Sequence, residues 1–248
     1  MSSVKLKYLF LILSVIFGPI NLKAQSEVQF STYIDVGENN ASEGVFIRTA
    51  GFGMYRVNKF NIKAGAQIDL ISPGNKVLTG TLLQFERELS VKEFPFQIQG
   101  LYLCSPFSEL IHEHNWGILG KIQRKHFTYK LGTNFRTYRV TPKAERDYNI
   151  LSGDKVNEKW NLMYLLSYNL KPVENNWNIG ITLTNIDQFI INQETNPVLN
   201  LNGKYRASSS VTLFSELWYK SAGALNISVN YFGFFIRTGL IWKIDLEK

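Results

Sequence analysis

The sequence LNISVNYFGFFIRTGLIWKI, residues 225–244, carries the pattern that decides the fold class of this chain. It contains no proline, and its apolar residues do not follow the spacing of a helical stripe. From residue 225 to 231 apolar and polar residues alternate, and after Gly233 the alternation resumes in the opposite phase. Alternation with a period of two is typical of a β-strand with one apolar and one polar face. The change of phase predicts a β-bulge at Gly233, where an extra residue redirects the following side chains. After it, one face carries Phe234, Ile236, Thr238, Leu240, Trp242 and Ile244.

The same alternation recurs along the whole chain from Gln25 onward and predicts strands from end to end. Turn signals separate the strands, as in the Ser-Pro-Gly-Asn sequence at residues 72–75. No later apolar run reaches the roughly 18 residues that a membrane-spanning helix needs. The predicted fold class is therefore all-β, a closed antiparallel up-and-down barrel of about 12 strands. The predicted strands are residues 27–36, 44–56, 60–70, 76–90, 95–104, 116–125, 127–138, 159–170, 177–190, 198–206, 209–220 and 225–244.

The connections between these strands alternate in length. Those after the even-numbered strands are mostly tight, and those after the odd-numbered strands are mostly long; residues 221–224, after strand eleven, break the rule. Short turns at one rim and long loops at the other are typical of a transmembrane barrel. The longest loop, residues 140–157, is long enough to fold inward or to contact a partner.

The distribution of charges distinguishes a membrane barrel from a soluble one. A small soluble barrel fills its centre with apolar side chains and presents polar ones to water. Here the polar faces carry bulky charges in the middle of strands, while the opposite faces are continuously apolar and rich in aromatic residues near the strand ends. This pattern predicts an inside-out barrel with aromatic girdles; the alternative is a soluble periplasmic β protein. The predicted pore-lining residues are Lys63, Asp69, Glu86, Lys121, Lys130, Arg136, Lys204, Glu216 and Arg237.

The N-terminal segment has the organisation of a secretory signal peptide. Lys5 and Lys7 precede a short apolar core, and small residues lead to Ala24. We expect residues 1–24 to be a signal peptide and residues 25–248 a single barrel domain; an uncleaved membrane anchor is the alternative. No cysteine lies near residue 25, which argues against a lipoprotein anchor, and Cys104 alone cannot form an intramolecular disulfide. Without Lys5, Lys7 and Lys23 the chain keeps 24 of its 27 basic residues against 20 acidic ones. That mild excess lacks the clustered basicity of a nucleic-acid-binding protein.

With these features the chain resembles, from Gln25 to Lys248, the outer-membrane β-barrel proteins of Gram-negative bacteria. The Ala24–Gln25 junction is also similar to processing sites common in the Bacteroidetes. The resemblance implies location in the bacterial outer membrane after export, contact with outer-membrane lipid, periplasmic termini and external long loops. One feature departs from it: such proteins usually end on an aromatic residue, whereas this sequence ends WKIDLEK. The insertion signal is then internal, around Trp242, or other strand features replace it.

Two functions of different classes fit such a barrel. The first is passage of small solutes with a mild anion preference, because basic residues outnumber acidic ones on the inferred inner face. Those charges could equally pair across a narrow interior and plug it. The second is a non-conducting accessory or structural barrel that binds a protein partner through its long extracellular loops.

A third possibility is an outer-membrane hydrolase that uses the predicted loop containing His112 and His114. Either histidine could act with Ser105 or Ser108, but no G-x-S-x-G context supports this. The His-x-His spacing is also a weak candidate metal site, and solvation of a polar loop explains it as well. No nucleotide-binding or cysteine-rich metal motif is present, so no cofactor is predicted.

Overall fold

The computed structural model describes residues 26–39, 44–71, 78–91, 94–106, 109–172, 175–187, 197–220 and 233–246. The predicted leader, residues 1–24, and residues 221–232, which include the first part of the predicted last strand, lie outside the described residues. The described ranges contain strands β1 (Ser26–Asn39), β2 (Gly44–Val57), β3 (Phe60–Asp69), β4 (Leu78–Val91), β5 (Phe94–Pro106), β6 (Ile111–Arg124), β7 (Phe127–Val140), β8 (Lys155–Asn169), β9 (Trp177–Thr184), β10 (Val198–Arg206), β11 (Val211–Lys220) and β12 (Phe234–Asp245), and helix α1 (Pro142–Tyr148).

The twelve strands form one closed antiparallel barrel. Each strand pairs with its neighbours in sequence, and β1 pairs with β12, so that Val28 lies opposite Ile244 and Val36 opposite Ile236. The predicted up-and-down barrel is thereby confirmed. Closure matters because it leaves no long sheet edge with unpaired backbone groups. In the described ranges no helix is both long and apolar enough to cross a bilayer.

The inside-out distribution of side chains is confirmed in the strands. In β9, Ile179, Ile181 and Leu183 are exposed on the outer face, whereas Thr182 and Thr184 are buried on the inner face. In β12 the outward residues are those of the predicted apolar face, with Phe234 and Ile236 exposed. An outer surface of exposed aliphatic side chains is favourable against lipid and unfavourable against water.

Exposed aromatic side chains lie in two bands on the outer surface. Trp116, Trp160 and Tyr219 lie toward the rim with the long connections. The other band is near the rim with the short turns and contains Tyr55, Tyr129, Trp177, Tyr205 and Trp242. Amphipathic rings at both ends of an apolar belt suit the two interfaces of a bilayer. Tyr138, in contrast, lies on the inner face opposite Glu113.

The hairpin of β5 and β6 is longer than predicted. Residues 105–115 were expected to form a loop, but β6 begins at Ile111 and pairs with β5 up to Pro106. His112 and His114 are therefore strand residues. The polar letters of this stretch resemble a loop, yet they alternate between the two faces of the sheet as strand residues do.

The predicted loop at residues 140–157 contains α1 and docks on the neighbouring connection. The Thr141 hydroxyl accepts a hydrogen bond from the Ala144 N–H and donates one to the Glu109 carbonyl, 2.7 Å away. Lys143 forms an ion pair with the Glu109 carboxylate, and that hydrogen bond raises the pKa of Lys143. Proline after a threonine cap is a common helix start.

Candidate functional site

The barrel interior contains a wide polar cavity at the rim with the short turns, which we call the turn-side vestibule. Its volume is about 760 Å³, and it reaches the β8–β9 turn at Asn176 and the β10–β11 turn at Ser210. One wall, from β8 to β10, is rich in amide and hydroxyl side chains such as Ser167, Asn178 and Asn202. Its charged lining consists of Lys121, Lys130, Lys204, Arg206 and Lys243 against Glu27, Glu216 and Asp245.

A narrower cavity, the neck, continues from the vestibule toward the middle of the barrel. It has room for about 170 Å³. The two cavities adjoin, and the residues that line both are Lys130, Leu165, Glu216 and Trp218.

Around the neck the interior is filled with apolar side chains. Leu82, Leu103, Leu119 and Met163 project inward and are at most 6% exposed. The same cluster includes Tyr33, Ala50, Phe52 and Phe214. Such a ring narrows the free cross-section at the mid-level of the lumen. The inner face is therefore apolar at this level, whereas the sequence pattern predicts polar inner faces with charges in the middle of strands.

Inward glycines make room for this apolar ring. At Gly239 a Cβ would stand 2.7 Å from the ring of Phe214 and 2.7 Å from the Cβ of Tyr33. At Gly65 it would collide with the ring of Phe52, which lies directly opposite. An inward glycine paired with an inward aromatic residue was therefore the sequence signal for a filled centre.

Arg237 lies at the closed end of the neck and is 1% exposed. Its guanidinium donates hydrogen bonds to both oxygens of Asp35, at 2.7 and 3.0 Å, and to both oxygens of Asp187, each at 2.7 Å. The Arg237 Cζ atom lies 4.0 Å from the ring centre of Tyr33, and its Nη1 atom lies 3.6 Å from Oε2 of Glu216. Two bidentate carboxylates use the forked geometry that only arginine offers.

Asp187 reaches Arg237 because the chain leaves the barrel wall after β9. The prediction that this strand extends to residue 190 is wrong: β9 ends at Thr184 and pairs with β8 only along Leu165–Asn169. We call residues 185–187 the inward turn. The predicted β9 residues 188–190 lie outside the described residues.

The inward turn is held by hydrogen bonds that replace strand pairing. The Asn185 side chain accepts from the Tyr164 N–H at 2.9 Å and donates to the Leu162 carbonyl at 2.6 Å. The Thr184 hydroxyl donates to the Tyr164 carbonyl and accepts from the Ile186 N–H. These side chains satisfy β8 backbone groups beyond the end of β9, where unpaired groups would be costly.

Comparison with known proteins follows from this architecture. Neither a protein-family model nor a curated protein sequence matches the chain. The fold is that of an outer-membrane β-barrel. The NanC porin aligns with a TM-score of 0.52 and 11% identity, over 86% of this chain and all of that one. The KdgM porin, solved in complex with disordered oligogalacturonate, aligns with a TM-score of 0.50 and 10% identity, over 87% and 98% of the two chains. The outer membrane phospholipase A from Escherichia coli aligns at 0.42 and 8% identity, over 90% and 97%, a similarity too low to support an argument.

The structure of this outer-membrane barrel places all nine predicted pore-lining residues on the inner face, at different levels. Lys63, Asp69, Glu86, Lys121, Lys130, Arg136, Lys204, Glu216 and Arg237 all share the inward phase of their strands. Glu216, Lys121, Lys130 and Lys204 line the vestibule. Their role as lining of a solute pathway stays a prediction.

Several of the predicted residues are paired rather than free. Lys121 lies 3.7 Å from Glu86, and Arg136, at 3% exposure, lies 3.8 Å from Glu113. Elsewhere Asp69 is paired with Arg48 at 3.4 Å, and the Lys63 ammonium lies 4.1 Å from the centre of the Phe52 ring. Pairing, one of the two alternatives considered from the sequence, therefore occurs among these residues, and the passage of anions stays a prediction.

Two residues of the Arg237 cluster were missed by sequence reasoning. Asp35 could have been found, because it stands between Ile34 and Val36 in the inward phase of β1. Asp187 could not, because it fell within a predicted strand.

The two candidate histidines lie on the outer face of β6, toward the rim with the long connections. The His114 Nδ1 atom is 2.7 Å from the Tyr102 hydroxyl, which gives this imidazole a structural partner. Ser105 projects from the inner face, on the other side of the sheet, and Ser108 lies outside the described residues. Among the residues that the structure describes, no three His, Cys, Asp or Glu side chains converge as metal ligands would.

Proposed function

We propose that this protein is a narrow outer-membrane channel for small solutes, closed in the described conformation by the inward turn and Arg237. The observation that carries the proposal is the turn-side vestibule with the neck adjoining it, whose lining includes Asp187 and Arg237. Release of Asp187 from Arg237 would withdraw the inward turn and widen the neck. The leader at residues 1–24 would serve export and be removed from the mature barrel.

The vestibule supports a mild anion preference. Five basic side chains and three carboxylates contribute to its lining. One of those carboxylates, Glu216, accepts a hydrogen bond from Trp218 Nε1 at 2.8 Å and also lies beside Arg237. A positively lined entrance raises the local concentration of anions and favours their passage.

Planar-bilayer recording of the purified protein tests both the closed channel and its anion preference. We expect the wild type to show small, infrequent openings, and Asp187→Ala to raise the open probability at least tenfold. In a potassium chloride gradient the reversal potential should indicate anion preference. Asp147→Ala, on the exposed surface of α1, is the matched control and should behave as the wild type. Absence of channels from both the wild type and Asp187→Ala would refute the channel.

The second candidate is a non-conducting barrel that binds a protein partner at the rim with the long connections. It is favoured by the exposed apolar side chains of Tyr148, Ile150 and Leu151, which are 62, 47 and 67% exposed around the end of α1. If no variant conducts, crosslinking from residue 150 in intact cells becomes the deciding measurement, and a discrete crosslinked protein is then expected.

A further inference from the structure

We infer that the turn-side vestibule contains a binding site for a small oxyanion, a phosphate or carboxylate group, built by Lys130, Lys204 and Asn200. The site deepens the proposed anion preference and depends on it for its biological role, although binding itself does not require conduction. Three independent features of the described residues support it: excess positive charge, an unsatisfied buried donor, and a polar row that joins them.

The positive charge is concentrated and incompletely neutralised. Lys130 on β7 lies directly opposite Lys121 on β6, and Lys121 already has Glu86 as its partner at 3.7 Å. Lys130 also lies close enough to Lys204 to be repelled by it. No carboxylate among the described residues forms an ion pair with Lys130 or Lys204. Like charges directly opposite each other destabilise a sheet, and a bound anion would offset that repulsion.

The unsatisfied donor is the side-chain amide of Asn200. Asn200 is 3% exposed and lines the vestibule, and its Nδ2 atom has no hydrogen-bond partner among the described residues. Its Oδ1 atom accepts a hydrogen bond from Asn202 Nδ2 at 3.1 Å. A buried amide N–H without an acceptor is costly, and a ligand oxygen would satisfy it.

A row of polar inner-face residues runs from the strand of Lys130 to Asn200. Thr128, Ser167, Thr182 and Asn200 are successive partners across β7, β8, β9 and β10. Lys130 stands on the same face of β7, two residues from Thr128. Three strand spacings put the backbones of β7 and β10 about 14 Å apart along the wall. Lys130 and Asn200 both project from this wall into the vestibule.

The three side chains assigned to the site offer donors, which selects the chemistry of the ligand. Two ammonium groups and one amide N–H offer hydrogen bonds and positive charge, which suit an oxygen-bearing anion. Thr182 donates to the Ser167 hydroxyl at 2.8 Å, so this part of the row is already internally satisfied. The recognised element is therefore the oxyanion, whichever molecule carries it.

Equilibrium dialysis of the detergent-solubilised full-length barrel against radiolabelled inorganic phosphate, and separately against acetate, tests the site at constant ionic strength. We expect saturable binding of at least one of them by the wild type. Lys130→Met and Asn200→Asp should each weaken it at least tenfold. Lys159→Met is the matched control, because Lys159 is exposed near the opposite end of its strand. Unchanged β-sheet circular dichroism identifies the variants that are folded.

The outcomes separate the site from the channel. Binding that Lys130→Met and Asn200→Asp abolish supports the site, and the anion that binds identifies phosphate or carboxylate. No saturable binding of either anion, or wild-type binding by folded Lys130→Met, overturns it. Bilayer recording of the same samples is read independently. Binding without channels leaves the site intact and refutes the channel, and channels without binding do the reverse.

Discussion

A single guanidinium ties together three parts of the barrel. Arg237 on β12 binds Asp35 on β1, across the seam that closes the barrel, and Asp187 in the inward turn. A buried ion pair contributes little net stability when complete, but removal of one partner leaves the other charge buried and unpaired. Arg237 therefore holds two carboxylates that are largely buried.

Replacement of Arg237 tests this dependence. We expect Arg237→Met to destabilise the barrel by about 3–5 kcal/mol, because it leaves Asp35 and Asp187 without a counter-charge. Urea unfolding in lipid vesicles measures the change. Arg206→Met removes an exposed guanidinium at the rim and should stay within about 0.5 kcal/mol of the wild type. Equal stability of the two variants would contradict the role of Arg237 as the counter-charge of Asp35 and Asp187.

Inward glycines form a second residue-scale constraint. A Cβ at Gly132 would collide with the carbonyl oxygen of Ile118 and stand 2.7 Å from the Cα of Leu119. Both are main-chain atoms of the neighbouring strand, which cannot yield without changing the strand spacing.

A glycine crowded by a neighbouring strand and a glycine with free space around it should respond differently to replacement by alanine. Gly132→Ala should destabilise the barrel by about 1–3 kcal/mol through overpacking. At Gly51 a Cβ would meet nothing within 4 Å, so Gly51→Ala should be neutral or slightly stabilising. Urea midpoints of both variants, measured side by side, give the comparison, and a neutral Gly132→Ala would disprove the steric explanation.

At the scale of elements, the two faces of each strand contact different environments. The outer face of β6 presents Trp116 and Ile118, each 56% exposed, while its inner face buries Asn115 and Leu119. One face therefore meets lipid, and the other meets a partly polar interior.

A lysine placed on each face of β6 separates these environments. Ile118→Lys puts a charge in the apolar belt and should cost about 2–4 kcal/mol if the side chain lies near the bilayer midplane. Gln123→Lys adds the same group to the vestibule lining and should cost much less. Folding titrations in vesicles provide both values. If the two substitutions cost the same, the outer face does not meet hydrocarbon.

At the scale of the whole molecule, the barrel has an apolar outer surface. Inside, the turn-side end is polar, and the middle of the lumen is filled with apolar side chains. Four of the five tryptophans are 45–67% exposed on the outer face, and Trp218 is 7% exposed in the lumen. The tryptophans therefore report which surface faces lipid.

Depth-dependent fluorescence quenching by brominated lipids measures this arrangement. In single-tryptophan variants, Trp116 and Trp242 should be quenched strongly, since their rings contact acyl chains. Trp218 should be nearly unaffected, because the sheet separates it from lipid. Strong quenching of Trp218 with weak quenching of the others would invert the proposed topology.

The amino-acid sequence by itself determined which segments form strands, apart from the ends of β5, β6 and β9, and which face most strand side chains occupy, and the closed barrel follows from these. This was possible because the direction of a strand side chain alternates by local geometry alone. Lys121, Lys130 and Lys204 could therefore be placed on the inner face by counting residues.

Only the tertiary structure decided whether the interior is open. The closure that we propose depends on the contact of Asp187 with Arg237, which is 50 residues later in the chain, and on Asn185, which replaces a strand partner for β8. The sequence around Asp187 continues the strand pattern, so nothing local shows that the chain turns inward. The end of β9 is decided by a buried ion pair and by side-chain hydrogen bonds across the barrel, which no local period reports.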